Sequence, residues 1–123
     1  MITFLTSREI MVIHERMIAS YGGLAGCADR ARVESMVMRI INRHLYENEH
    51  DIFNLAAAYL LAIARGHCFN DANKRTAFAA ATLFLRRNGI SLRFSSSHEN
   101  LTVEAAQGLL DIYEIASVLR QAQ

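Results

Sequence analysis

Sixteen residues, Ala72 to Arg87, read ANKRTAFAAATLFLRR, and beyond the first turn nearly every side of a helix built from them is apolar. Such a helix has no face for water, so it must lie at the centre of other elements. Asn88-Gly89 stops it. The surrounding elements also read as helices, because strand-like alternation is weak and the chain contains no proline. Thr6 with Glu9 makes a capping box for a first helix, whose Ile10, Ile13, Met17 and Ile18 share a face until Gly22-Gly23. Asp29 caps a second, faced by Val33, Val37, Ile40 and Ile41, which ends in the polar stretch NRHLYENEH. Asp51 caps a third through Leu55, Ala58, Tyr59 and Ala62, with Gly66 closing it. Shorter helices are predicted in TVEAAQGLL and DIYEIASVLRQ, and ISLRFSSSHEN is predicted irregular or briefly extended. No linker or internal repeat divides the chain. The expected architecture is all-α: a compact bundle around a central buried helix at about 72–88, one domain over 1–123.

With 123 residues, 52% hydrophobic, and a mean hydropathy of +0.12, the chain can bury the core this plan needs. Thirteen basic against twelve acidic residues leave a net charge of +1, so no bulk field favours nucleic acid or an anionic membrane. Any cationic function is therefore local. Cys27 and Cys68 form no CxxC or Cys/His cluster, which argues against a disulfide framework or zinc site and fits a reducing cytoplasm. The start MITFLTSREIM lacks the pattern of a secretory leader, and charges interrupt every apolar run before membrane-spanning length. A soluble cytoplasmic protein is expected.

The polar groups gather just before the central helix, in HCFNDANKRT, His67 to Thr76. A helix start offers unpaired N–H groups and partial positive charge, to which Lys74 and Arg75 add two cations. Asp71 is an oxygen ligand suited to a magnesium ion carrying nucleotide phosphates, and Asn73 offers an amide to a phosphate oxygen. His67 can take a proton from an attacking hydroxyl near neutral pH. Transfer of phosphate to a hydroxyl is the chemistry these groups share. Singly, each has a plainer role: Asp71 or Asn70 as a helix cap, His67 as a hydrogen-bonded structural residue. Cations in a first turn oppose the helix dipole, however, so Lys74-Arg75 points to an anion, whereas Arg86-Arg87 at the far end suits the dipole and solvent. Phe69 is expected to anchor the loop in the core. Tyr21-Gly22-Gly23 and Gly26 read as a helix stop and turn.

His67-Cys68-Phe69-Asn70-Asp71-Ala72-Asn73-Lys74-Arg75 resembles the HxFx(D/E)ANKR signature of the Doc ("death on curing") branch of the Fic/Doc family. SYGGLAGCADRARVESMVMRI, AIARGHCFN and LFLRRNGI extend the likeness over nearly the whole chain. The resemblance implies a compact all-α Fic fold and a bacterial or phage toxin held by a cognate antitoxin. It also implies a transferase using Mg2+ and ATP to modify a hydroxyl on a host translation protein, an elongation factor for Doc. Residue by residue it implies His67 as general base, Asp71 for magnesium, Asn73, Lys74 and Arg75 for phosphate, and Phe69 as anchor. The broader Fic pattern HPFxxGNGRxxR, which implies AMP transfer, has glycines where this chain has Ala72 and Lys74, and a final arginine where it has Ala79. A lysine there fills the space in which glycine lets amides close on the inner phosphates, so γ-phosphate transfer is expected over AMP transfer.

SSSHEN, Ser95 to Asn100, matches the pattern by which many Fic proteins are inhibited through a glutamate paired with the final motif arginine. Ala79 removes that partner, so a plain loop and helix cap is expected, with inhibition left to an antitoxin segment that folds on the toxin. A non-enzymatic toxin that merely blocks a translation component is the other class of reading, and the His67-Asp71-Lys74 set speaks against it.

Overall fold

The computed structural model describes residues 1–26, 29–95 and 97–123, the Ser97 side chain excepted, so Cys27 and Ser96 lie outside the described residues. Six α-helices run in order: α1 Ser7–Tyr21, α2 Arg30–Tyr46, α3 Ile52–Gly66, α4 Asn73–Arg87, α5 Ser97–Ala106 and α6 Ile112–Gln121. The fold is all-α.

Three starts follow the local chemistry expected of them, and a fourth, at α6, uses the same device. Thr6 and Glu9 exchange both bonds of a capping box, as do Asp111 and Glu114 at α6. Asp29 accepts from the Arg32 N–H, and Asp51 from those of Phe53 and Asn54. Two boundaries differ from expectation. Helix α5 begins at Ser97 and ends at Ala106, upstream of the predicted TVEAAQGLL, with Gly108 turning the chain at φ 78°. Helix α3 runs through Gly66, and His67 takes the left-handed closing position at φ 49°, ψ 38°.

Helices α3 and α4 lie against each other at the centre, and α3 also touches α2, α5 and α6 while α4 touches α1 and α5. The inner faces meet at Leu55, Tyr59, Leu60 and Ile63 of α3 and Ala77, Ala80, Ala81, Phe84 and Leu85 of α4, all but fully buried. Small alanines let the two axes approach, and Tyr59 packs its ring 5.1 Å from that of Phe84. The Tyr59 hydroxyl donates to Leu5 O and accepts from Leu5 N–H, both at 3.0 Å, so the N-terminal segment is tied to the core. Asn88 ties it again: its Oδ1 accepts from Thr3 N–H at 2.9 Å, and its Nδ2 donates to Thr3 O and Phe84 O. Arg87, expected to serve solvent and dipole, pairs with Glu9 of α1. The second apolar side of α4, with Phe78, Ala79 and Leu83, is only partly covered and lines a groove.

Candidate active site

The turn between α3 and α4 alternates outward and inward side chains, so one short segment both anchors itself and presents polar groups. His67 is exposed, and among the described residues no hydrogen bond engages its ring. Cys68 and Phe69 point inward, at 1% and 3% exposure. The Phe69 ring stacks on the buried His14 ring, centroids 3.9 Å apart and planes within 7°. His14 Nε2 lies 2.9 Å from Asp71 O, and since a carbonyl only accepts, this nitrogen carries the proton and donates. Phe69 is thus buried in the core and stacked from α1 by a histidine.

Asp71 is exposed, with its carboxylate fixed at both oxygens: Oδ2 accepts from Leu24 N–H at 3.0 Å and Oδ1 from Ala72 N–H at 2.8 Å. These two bonds, the Leu24 one first, hold its carboxyl below the ordinary carboxylate value, and the Arg75 charge adds to them. The Leu24 bond exists because Gly23, at φ 118°, lacks a Cβ; one built there would lie 2.7 Å from Asp71 Oδ2. Asn70 completes the stitch by donating from N–H to Gly26 O and from Nδ2 to Ala25 O, each at 3.2 Å. A group with a lowered folded pKa contributes stability above its unfolded value and loses it as pH falls through the folded one. The Leu24 amide resonance should therefore stay fixed from neutral pH down to the ordinary value of 3.8 and shift only below it. A shift centred above 3.8 would show that Leu24 does not hold the ionised carboxylate.

Ala72 precedes α4 at φ 62°, ψ 26°, a conformation that costs a non-glycine residue about 1–2 kcal/mol. It gives the start of α4 no side-chain cap. Ala72 N–H is given to Asp71 Oδ1, while the first N–H groups of α4 beyond it have no partner inside the helix, which suits that start to an anion such as phosphate. Lys74 is exposed beside it, with no ion pair among the described residues.

Two expected phosphate ligands are committed elsewhere. Asn73 accepts from Phe69 N–H at 3.2 Å and donates to Phe69 O at 3.0 Å, clamping the loop and leaving only its second amide hydrogen for a ligand. Arg75 reaches back to α1, donating to Met17 O at 3.4 Å and Gly22 O at 3.1 Å, with its guanidinium 5.7 Å from the Tyr21 ring centre. It satisfies carbonyls at the end of that helix, where a cation belongs. His14 was not visible as part of the site; its only signal is a histidine in register with Ile10 and Met17 on the inner face of α1.

Beside Lys74 and Arg75 opens an apolar groove of about 810 Å³ between α1, α4 and α5, walled by Phe78, Leu83, Phe94 and Val103; His67 and Asp71 lie outside its lining. Glu99, the glutamate of the SSSHEN pattern, borders the groove, and among the described residues no ion pair engages it. No group of three or more metal-ligating side chains occurs among the described residues. One carboxylate beside a phosphate concavity still fits magnesium, which binds proteins through one or two carboxylates and takes its other oxygens from phosphates and water.

Residues 4–85 match a family model described as Fic/DOC family. The chain is 44% identical over 117 residues to a protein of Escherichia phage P1 named Protein kinase doc, covering 95% of this chain and 93% of that protein. It is 41% identical over 71 residues to a protein of Mycolicibacterium smegmatis named Toxin Doc, covering 55% of each.

Proposed function

This chain belongs to the Fic/Doc family, and from that premise we propose that it is a toxin that transfers the γ-phosphate of ATP to a serine or threonine hydroxyl of a host translation protein, an elongation factor by the Doc resemblance. The observation that carries this is the uncapped start of α4, where left-handed Ala72, exposed Lys74, ionised Asp71 and exposed His67 lie within one turn and its flank. Asp71 would hold a magnesium ion, which would offset the negative charge of the phosphates. The α4 amides and Lys74 cradle those phosphates, the free amide hydrogen of Asn73 adds a donor, and Arg75 keeps the turn closed while contributing charge. His67 accepts the proton of the target hydroxyl as its oxygen bonds to the γ-phosphorus. The bond from that phosphorus to the bridging oxygen breaks, and ADP leaves.

The partner that restrains it is a cognate antitoxin, and the groove beside Arg75 suits the apolar face of a segment that folds on contact. Direct nucleic-acid binding is not part of the proposal, and no helix among the described residues is long and apolar enough to cross a membrane. A cytoplasmic site of action follows from its target.

One observation favours the runner-up, AMP transfer. Ala72 takes a left-handed conformation of the kind glycine adopts freely, so loss of the first glycine leaves that backbone path in place and discrimination rests on Lys74 alone. Purified protein, given antitoxin-free lysate and ATP labelled separately on the α- or γ-phosphate, should mark a target band from the γ-label only. A band carrying the α-label, with pyrophosphate released, overturns phosphate transfer in favour of AMP transfer.

A further inference from the structure

No hydrogen bond engages the His67 ring among the described residues, so its own backbone must place it, and that backbone takes a conformation that non-glycine residues ordinarily avoid, φ 49° and ψ 38°. The carbonyls of the residues on either side of it are held from one place, the start of α2. Arg32 Nη1 donates to Gly66 O at 2.8 Å on one side, and Asp29 N–H donates to Cys68 O at 3.3 Å on the other. The two clamps are coupled. Asp29 Oδ1 accepts from Arg32 N–H at 3.1 Å, and its Oδ2 lies 3.9 Å from Arg32 Nε. The Arg32 side chain is 51% exposed, so it is not there to fill the core.

We infer that Arg32 is a positioning residue for the reaction, holding His67 in its left-handed conformation through the Gly66 carbonyl; this rests on the proposed role of His67 as the base. The Gly66 carbonyl is among the last of α3, which have no partner inside their helix. Arg32 fixes the plane of the peptide that leads into His67, and Asp29 fixes the peptide between Cys68 and Phe69, one residue further on. Without the guanidinium, water takes the carbonyl and the His67 backbone relaxes toward the right-handed region, swinging the imidazole away from the target hydroxyl. Small misplacements of a reacting group are costly in rate, by up to about a hundredfold for 1 Å.

The test is R32M, which keeps the aliphatic stem and removes the donors, alongside the parent, both with ATP and the protein target. The expected result is a kcat lowered about tenfold, with the KM for ATP unchanged and the melting temperature unchanged. In the same variant the His67 13Cα chemical shift should leave its left-handed value. A parental kcat with an unmoved His67 resonance overturns the inference, as does a raised KM for the target protein with kcat preserved, which would make Arg32 a docking cation. A lowered kcat that follows a lowered melting temperature, with His67 unmoved, also overturns it. If the parent transfers no phosphate at all, the proposed function falls, and the His67 resonance alone decides whether Arg32 sets its backbone.

Discussion

Changing His67 to glutamine should remove labelling of the target and end growth arrest on induction, while the melting temperature and capture of the partner protein stay at the parental level. Glutamine keeps a side chain of similar size and polarity but cannot take up a proton near neutral pH. His67 is exposed and its ring bonds nothing among the described residues, so the change removes no structural contact there. The strained backbone is the same for both residues. General bases contribute about 10²–10⁴-fold in rate, which is enough to bring a toxin below the level that stops growth. Undiminished arrest by this variant would instead establish the non-enzymatic reading, in which the protein blocks a translation component by binding alone.

Phe69→Ala should produce the largest loss of stability, because the site's backbone hangs on this ring. Emptying a buried aromatic position costs about 3–5 kcal/mol. That is a large share of the 5–15 kcal/mol typical of a domain this size. Here the loss includes the parallel stack on His14, 3.9 Å away, whose own bond to Asp71 O then has nothing to steady it. Denaturant unfolding should show a lower midpoint with little change in slope. A variant that unfolds like the parent would show that Asn73 and His14 hold the turn without the ring.

The parts legible in the sequence were those whose chemistry is local. Thr6 with Glu9, Asp29 and Asp51 act within three residues of themselves, and each starts a helix as expected; Asp111 does the same at the head of α6, where only the helix was predicted. The start of α5 was not legible, since Ser97-His98-Glu99-Asn100 offers no apolar spacing to announce a helix. The same divide runs through the site. Phe69 could be assigned to the core from its position among polar neighbours, but Arg75 could not be assigned to Met17 O, a group 58 residues away that only the fold brings near. Asn73 carries a second role the letters do not announce: its side chain also clamps the Phe69 backbone four residues earlier, through Oδ1 and one amide hydrogen. At position 72 the sequence shows that glycine is missing. It does not show that the neighbouring bonds, Thr76 N–H to Ala72 O and Ala72 N–H to Asp71 Oδ1, hold alanine in glycine's conformation.

The double bond between Thr3 and Asn88 spans 85 residues, and Leu5 meets Tyr59 across 54. On the ribosome, the first residues made are therefore among the last to find their partners, because closing such long loops must precede the contacts that reward it. The inward face of α1 waits for α4, and the loop after α1 waits for Asn70 and Asp71. A nascent chain carries His67 well before it carries Asn88, and until that residue appears the N-terminal segment lacks the Thr3 tie that adds to the hold of Tyr59 on Leu5. The proposed activity thereby gains its full support late in synthesis, and chains that end upstream of Asn88 should lack it.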